Sequence, residues 1–165
     1  KPERQVHLRM WFVVRHLTKY IMILQRIDSR DFANIQDDTV RPELDMDFRL
    51  ADGREVYGLY EGTALLAVIC AAYVSQIPHT VAELGQWSLP LGTSVVFYTV
   101  WSYCRGAGRD IIPAAREHIL QEHPELEHLV TMSPKTQMAR DFHLRNGAKL
   151  LSENEESLTF EYQRT

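Results

Sequence analysis

The chain of 165 residues has little cysteine, no excess of positive charge and no long uninterrupted apolar run. Its two cysteines, Cys70 and Cys104, lie outside any CxxC spacing, which disfavours a disulfide scaffold or zinc knuckle and indicates a reducing, cytoplasmic setting. The formal net charge of -4 provides no overall positive field to attract nucleic acid or an anionic membrane. Charged residues interrupt the apolar stretch Met10–Leu24, which is also too short to span a bilayer. We therefore expect neither nucleic-acid binding nor membrane insertion.

What is present is ordinary globular composition, with 45% hydrophobic and 24% charged residues. The length suits one domain, so we assign residues 1–165 to a single domain. Within it, residues 1–42 are expected to form an N-terminal helical preface, and residues 43–165 the core. The spacing of apolar residues predicts an amphipathic helix over Val6–Ile27, although the run Trp11–Val14 fits a strand equally well.

The core begins with a strand pattern. Alternation from Arg54 to Glu61 predicts one arm of a hairpin, and the continuous apolar runs Leu65–Val74 and Val95–Trp101 predict strands buried on both faces. Between these runs, Ser75–Thr93 reads as a long loop with one helical turn at Thr80–Leu84.

The second half of the core alternates helices and strands. Ser133 resembles a helix cap, and the Asn146-Gly147 pair resembles a left-handed helix terminator. The order predicts an α/β (α+β) domain with a central mixed, mostly antiparallel sheet flanked by helices. The expected elements are a helix over Ile111–Glu122, a strand over Leu129–Met132, a helix from Pro134 to Arg145, and a hairpin of Lys149–Leu151 with Leu158–Tyr162.

A glycine turn between the second buried strand and the next helix is the strongest local signal. Glycines there let backbone N–H groups point at an anion, and neighbouring arginines add charge-assisted bonds to phosphate. A tight turn with exposed arginines is the alternative, and Asp110, which could cap the helix, competes for the same N–H groups. The predicted diphosphate-binding residues are Arg105, Gly106, Ala107, Gly108 and Arg109.

A second signal is His143, near the end of the last predicted helix. An imidazole titrates near neutrality, so this residue is a candidate general acid or base. The alternative is a structural histidine whose charge suits the C-terminus of a helix. The other clustered histidines, His118, His123 and His128, recur at intervals that turn their side chains around a helix, and we expect no metal site.

The succession of strand, glycine turn, helix, strand and helix resembles the Gcn5-related N-acetyltransferase (GNAT) fold. It is more closely similar to the catalytic domain of malonyl-CoA decarboxylases, over about Arg54 to Leu151. The fairly specific part is a His-x-x-Asn-Gly-Ala motif, which begins here at His143. The segments that carry the resemblance are Ala64–Leu84, Val96–Gly106, Val130–Pro134 and Met138–Leu150.

The resemblance implies decarboxylation of malonyl-CoA to acetyl-CoA, with a serine and a histidine in the active site. His143 falls on the histidine of the family. Thr99 stands at the earlier of two serine positions, Trp101 replaces the later one, and Ser102 is one residue displaced. The hydroxyl group is therefore expected from Thr99, or from Ser102 if a bulge corrects the register.

Three functions follow as hypotheses. The first is an enzyme that releases CO2 from a malonyl thioester of coenzyme A or an acyl carrier, with His143 as acid or base. The second is a GNAT-type acyltransferase, for which Glu61, Tyr98, Tyr103 and His143 could move protons. The third, motivated by Trp101, is a non-catalytic CoA-binding or interaction module. Acyl-CoA is the expected substrate in the first two, no metal is expected, and a homodimer is left open.

Overall fold

The centre of the protein is one mixed sheet that contains every strand of the described residues. The computed structural model describes residues 12–17, 20–32 and 37–164, and the side chains of residues 21–31 and 37–164. The strands are β1 (Phe12–Leu17), β2 (Tyr20–Arg26), β3 (Arg54–Glu61), β4 (Ala64–Val74), β5 (Ser94–Ser102), β6 (His128–Thr131), β7 (Lys149–Glu153) and β8 (Leu158–Tyr162). The helices are α1 (Ser29–Phe32), α2 (Met46–Leu50), α3 (Val81–Trp87), α4 (Ala107–Glu122) and α5 (Gln137–Arg145).

The strands lie in the order β1-β2-β3-β4-β5-β6-β8-β7. Every neighbouring pair is antiparallel except β5 and β6, which are parallel. Parallel neighbours need a crossover connection, and α4 supplies it between β5 and β6. The predicted mixed, mostly antiparallel sheet with flanking helices is confirmed.

The buried side chains divide between the two faces of the sheet. On one face, here called the α4 face, Ile69, Phe97 and Phe160 pack with the apolar side of α4. On the other, here called the α2 face, Val68 and Val96 belong to a cluster that also receives apolar residues of α2 and α3. Because β4 is buried on both faces, its sequence is the continuous apolar run that predicted it.

A β-bulge in β5 sets which way its last residues point. Ala71 pairs with Phe97 and Cys70 pairs with Thr99, so Tyr98 is the extra residue of β5. Cross-strand partners share a face, which places Thr99 beside Cys70 on the α2 face. Alternation beyond the bulge then places Ser102, the partner of Ala67, on the α4 face.

The parallel pairing of β5 with β6 ends before β5 does. It runs from Ser94 to Phe97, and the N–H of Met132 donates one further bond to the carbonyl of Phe97 at 3.1 Å. Residues 98–102 of β5 have no β6 partner among the described residues. The sheet therefore opens at this point, beside the turn that leads into α4.

The N-terminal preface is a correction to the sequence analysis. The amphipathic helix predicted over Val6–Ile27 is wrong at residues 12–17 and 20–26, which form β1 and β2. Residues 6–11, 18 and 19 of the predicted helix lie outside the described residues. β2 pairs along β3, with Leu24 opposite Leu59, and this tertiary pairing overrides the helical spacing of the apolar residues. The strand alternative for the run ending at Val14 fits β1.

Two helix starts differ from the prediction. α4 begins at Ala107, so Pro113 lies inside the helix instead of in its first turn. α5 begins at Gln137, with the Thr136 hydroxyl accepting a bond from the N–H of Ala139 at 3.1 Å. Ser133 is not the cap, because it bridges to Leu158 at the edge of β8 instead.

The single helical turn predicted at Thr80–Leu84, within a segment predicted as a long loop, is a longer helix, α3 (Val81–Trp87). Thr80 caps this helix, and its hydroxyl accepts from the N–H of Glu83 at 3.1 Å. Gly147 has φ of 88°, as expected for a left-handed helix terminator. The closing hairpin of β7 and β8 is also present.

Candidate functional site

The glycine turn after β5 leads directly into the first turn of α4. Gly106 is the N-cap of α4 in the left-handed conformation, with φ of 85°, and no side chain caps the helix. The first N–H groups of a helix lack intrahelical partners and carry partial positive charge. Arg105 and Arg109 are exposed on either side of this start. The turn can therefore offer backbone N–H groups and two guanidinium groups to a phosphate.

Asp110 does not cap the helix, which corrects the alternative raised from the sequence. It lies within the first turn of α4, after the N-cap. A carboxylate there suits the dipole of the helix. The turn is also packed closely: a Cβ on Gly108 would lie 3.5 Å from the ring of Phe142, so α5 rests against the first turn of α4.

A groove of about 730 Å³ runs from this helix start along α4 to the C-terminal end of α5. Its walls carry the cationic side chains of Arg109, Arg116 and Arg145, together with the acidic Asp110 and Glu117, and Tyr162 contributes from β8. The groove is mixed in charge, with three cationic and two anionic side chains in its wall. A ligand with several phosphate groups matches such a wall.

His143 lies in an aromatic niche on the α4 face. Its side chain is 7% exposed, its ring stacks on Phe160 with centroids 5.0 Å apart, and Phe142 meets it edge-on. Nδ1 lies 2.8 Å from the hydroxyl of Tyr162. Burial lowers the pKa of His143 to about 4 and raises the pKa of Tyr162 above its usual value. Both groups are therefore neutral near pH 7.

Tyr162 connects this histidine to the groove. The imidazole does not line the groove itself, but the phenol that it contacts does. The second nitrogen, Nε2, has no hydrogen-bond partner in the described part of the chain. A neutral imidazole held at Nδ1 can present Nε2 to a ligand as either a donor or an acceptor.

Thr99 belongs to a different, fully buried polar cluster on the α2 face. Its hydroxyl donates to Oδ2 of Asp38 at 2.9 Å, and Nη2 of Arg49 lies 2.7 Å from the same oxygen. Nη1 of Arg49 also donates to Sγ of Cys70 at 3.4 Å. Burial raises the pKa of Cys70 to about 12, against the opposing influence of Arg49, so this thiol stays protonated.

The structure thus separates the two hydroxyl candidates. Thr99 is on the face opposite His143, and its hydroxyl is committed to Asp38. Ser102 is exposed at the end of β5 and is on the same face as His143. Trp101, which replaces the later serine, is largely buried and donates its indole N–H to the hydroxyl of Tyr103 at 3.0 Å.

Sequence reasoning missed two residues, Tyr162 beside His143 and Arg41 at the opening of the sheet. Tyr162 gave no signal, because nothing in a short closing strand marks one tyrosine as a partner of His143. Arg41 also gave none, yet Nε donates to the carbonyl of Tyr98 and Nη2 to that of Met132, each at 2.8 Å. Arg41 therefore joins β5 to the end of β6 where the two strands part.

Neither a metal centre nor a membrane span is found in the part of the chain that the structure describes. No three or more His, Cys, Asp or Glu side chains there are grouped so that they could hold a metal ion. None of the described helices combines the length and the apolar character needed to cross a bilayer.

Comparison with known proteins identifies the fold. No protein-family model matches the chain, and a comparison with curated proteins found no match. Among solved structures, the malonyl-CoA decarboxylase of Cupriavidus metallidurans is 23% identical, with a TM-score of 0.54. That match covers 68% of this chain but 30% of the decarboxylase, so this chain spans less than a third of that protein.

Acetyltransferases match over more of their own length. The N-acetyltransferase PseH of Campylobacter jejuni, solved with acetyl coenzyme A, is 10% identical with a TM-score of 0.56, covering 87% of this chain and 99% of that one. AtaTR bound with acetyl-CoA is 12% identical with a TM-score of 0.55, covering 84% and 92% respectively. At these identities the likeness establishes the fold, and the chain is a GNAT-fold protein.

Proposed function

We propose that this protein is an acyl-CoA-utilising enzyme that releases CO2 from a malonyl thioester, with His143 as the group that acts on the thioester. The fold and the motif that begins at His143 support this assignment. The observation that carries it is the neutral, phenol-bonded imidazole, whose pKa burial lowers to about 4.

We assign a position to each part of the coenzyme from the chemistry of that part. Its diphosphate suits the N–H groups of Gly106, Gly108 and Arg109, with Arg105 beside them, since the N–H of Ala107 already donates to the carbonyl of Cys104 at 3.3 Å. The nucleotide part suits the groove that Arg116 and Arg145 line. The amides of the pantetheine arm suit residues 98–102 of β5, whose edge lacks a β6 partner among the described residues. The acetyl-CoA complexes of PseH and AtaTR support a thioester ligand on this fold.

Decarboxylation needs a group that stabilises an enolate. The bond between the carboxyl carbon and the α-carbon breaks, its electron pair enters the thioester as an enolate, and CO2 leaves. We assign the Tyr162 hydroxyl as donor to Nδ1, so that Nε2 of His143 carries a proton and donates to the enolate oxygen. The α-carbon then takes a proton from water. A neutral imidazole can donate the hydrogen bond to the enolate oxygen without being ionised first.

We assign the accompanying hydroxyl to Ser102 in preference to Thr99. Ser102 is on the face of His143 and is exposed, whereas the hydroxyl of Thr99 already donates to buried Asp38. A hydroxyl beside the thioester would add a second hydrogen bond to the developing oxyanion.

Acyl transfer from CoA to an amine is the second candidate, because structures with this fold include acetyltransferases bound to acetyl-CoA. That reaction needs a base to take a proton from the attacking ammonium. A histidine with a pKa of about 4 is a weak base for this step, which favours the decarboxylase. The base of a transferase would therefore be another residue, such as Glu61.

Product analysis separates these functions. The protein is incubated with malonyl-CoA and with acetyl-CoA, each with and without a mixture of amines, and the products are identified by mass spectrometry. The proposal expects acetyl-CoA from malonyl-CoA without an amine. Consumption of either thioester only when an amine is present would instead establish a transferase. CoA binding with no product in any mixture would establish a non-catalytic module.

A variant pair ties the result to the site. His143→Ala should lose at least tenfold in rate while CoA affinity stays within about twofold. His123→Ala is the matched control, because His123 lies at the far end of α4, and it should retain the rate of the parent protein.

A further inference from the structure

A second cavity, of about 260 Å³, lies beside the opening between β5 and β6, on the α2 face. It has room for several water molecules or for a small organic group. Met132, which follows β6, forms part of its wall, so the cavity adjoins the end of the parallel pairing. Its polar lining residues are Arg41, His79, Thr80, Glu156 and Ser157.

Arg41 brings a positive charge to this cavity without a counter-ion bound directly to it among the described residues. Its two hydrogen bonds end on the neutral carbonyls of Tyr98 and Met132. Glu43 and Asp38 both attract the Arg41 guanidinium, but neither forms a salt bridge with it among the described residues, and Asp38 is paired with Arg49 at 2.7 Å. The third nitrogen of Arg41, Nη1, has no hydrogen-bond partner in the described ranges. A half-buried guanidinium of this kind favours an anionic ligand.

His79 is held in place from its backbone. Its N–H donates to Oε2 of Glu83 at 2.7 Å, and its carbonyl accepts from the hydroxyl of Ser157 at 2.7 Å. These two bonds fix the main chain from both sides and leave the imidazole to line the cavity. Glu156, also at the cavity, is exposed, so its carboxylate remains solvated.

We propose that this cavity binds a carboxylate group through Arg41, with the imidazole of His79 as a second hydrogen-bond donor. The cavity lies on the face opposite His143, and a malonyl group would reach both through the gap between residues 98–102 of β5 and the end of β6. The inference therefore rests on the proposed function, because the carboxylate belongs to a reactant at this opening of the sheet. It comes either from the malonyl group of the thioester or from an amino-acid acceptor, whose ammonium group would meet Glu156.

The malonyl source has a distinct kinetic signature. The carboxylate loses its charge as it becomes CO2, so its bond with Arg41 is stronger in the bound substrate than in the transition state. Removing the guanidinium should therefore raise KM for malonyl-CoA about tenfold or more, with kcat unchanged or increased. Loss of a merely structural arginine would reduce the active fraction and lower kcat instead.

Free malonate tests the site without turnover. Malonate and the uncharged malonamide are titrated separately into the protein at millimolar concentrations, and the side-chain NMR signals of Arg41 and His79 are followed. Malonate should shift these signals and malonamide should not. Arg41→Met and His79→Leu should each weaken malonate binding at least fivefold, and His128→Gln, at the other end of β6, should not. His79→Leu keeps the test open if Arg41→Met does not fold.

The outcomes separate this inference from the proposed function. If CoA binds but malonate does not, the carboxylate site is overturned and the decarboxylase proposal stands. If malonate binds but malonyl-CoA is not decarboxylated, the site stands and the decarboxylase proposal fails. In that case, consumption of acetyl-CoA with glycine but not with glycinamide would assign the carboxylate to an amino-acid acceptor. Equal weakening of malonate and CoA binding in His79→Leu would overturn the carboxylate site.

Discussion

At the scale of single residues, burial decides what His143 can do. The aromatic niche of Phe142, Phe160 and Tyr162 removes water from the imidazole, and the charged form is disfavoured. An exposed histidine would exchange protons near neutrality, whereas this one stays neutral down to about pH 4. The same burial makes the residue a pH-dependent contributor to stability.

The first prediction concerns this contribution. The pKa of His143 is about 4 in the folded protein against 6.5 for an unperturbed histidine, so the unfolded chain binds more protons between these values. Stability is therefore retained above pH 6.5 and lost as pH falls toward 4. Denaturant titrations should show the parent protein losing about 3 kcal/mol relative to His143→Gln across this window. Parallel pH profiles for the two proteins would contradict the assigned pKa.

The second prediction concerns Tyr162. Tyr162→Phe keeps the ring in the core and removes the hydroxyl that meets Nδ1 of His143. We expect the rate of CO2 release to fall at least tenfold, because the imidazole loses the bond that sets its tautomer. The variant should lose only about 1 kcal/mol of unfolding free energy and keep its CoA affinity. An unchanged rate would show that the phenol has no part in the chemistry.

His143 could be predicted from the sequence, whereas its partner Tyr162 could not. His143 could be located because it begins a short local motif that ends in a glycine turn. Tyr162 could not, because its contact with His143 joins residues 19 positions apart through the packing of α5 on β8. The sequence offers both Thr99 and Ser102 as hydroxyl candidates, but only the bulge at Tyr98 decides which face each one takes.

At the scale of elements, the turn from β5 into α4 combines a conformational requirement with the proposed diphosphate site. Gly106 needs a positive φ, whereas Gly108 is an ordinary helical residue with space for a methyl group against Phe142. The two glycines therefore make a matched pair in which only one has a left-handed backbone.

The third prediction uses this pair. Gly106→Ala should cost about 1 kcal/mol of unfolding free energy, because a Cβ disfavours the left-handed conformation. Gly108→Ala should be neutral or stabilising by up to about 1 kcal/mol, since alanine favours helix. Thermal or chemical denaturation measures both. Gly106→Asn, which tolerates positive φ better, should fall between the parent and Gly106→Ala. Equal losses at both positions would argue against the left-handed cap.

The order of elements from β3 to β8 could be predicted because strands, glycine turns and caps leave local signals. β1 and β2 could not, since their apolar residues also fit helical spacing and only pairing with β3 selects the strand. For a related reason, the sequence predicts the start of α5 too early, at Pro134 instead of Gln137. Ser133 has the chemistry of a cap, but its bridge to Leu158 holds it in extended structure until Thr136.

At the scale of the whole molecule, buried charge ties the segment before β3 to the centre of the sheet. Asp38 and Arg49 are 7% and 2% exposed. Asp38 accepts a hydrogen bond from the hydroxyl of Thr99, which lies 61 positions away in the chain. No local pattern foretells such a contact, because each member is an unremarkable polar residue in the sequence. The pair holds residues 37–50 against the α2 face, where the cavity of about 260 Å³ lined by Arg41 and His79 also lies.

The fourth prediction tests this buried pair. Asp38→Asn leaves the Arg49 guanidinium buried without its counter-charge, and should cost roughly 3 kcal/mol or more of unfolding free energy. The double variant Asp38→Asn with Arg49→Met removes both charges and should cost less than the sum of the two single changes. Denaturant unfolding of the four proteins gives the coupling. Additive losses would mean that the two side chains do not interact.

The central claim is that a neutral His143, held by Tyr162 on a GNAT fold, promotes loss of CO2 from a malonyl thioester. Its most direct test is the rate at which labelled CO2 is released from malonyl-CoA that carries the label in its free carboxyl group. We predict amine-independent release, reduced at least tenfold in His143→Ala and Tyr162→Phe. No release above the uncatalysed rate, with the protein folded and CoA bound, would contradict the account.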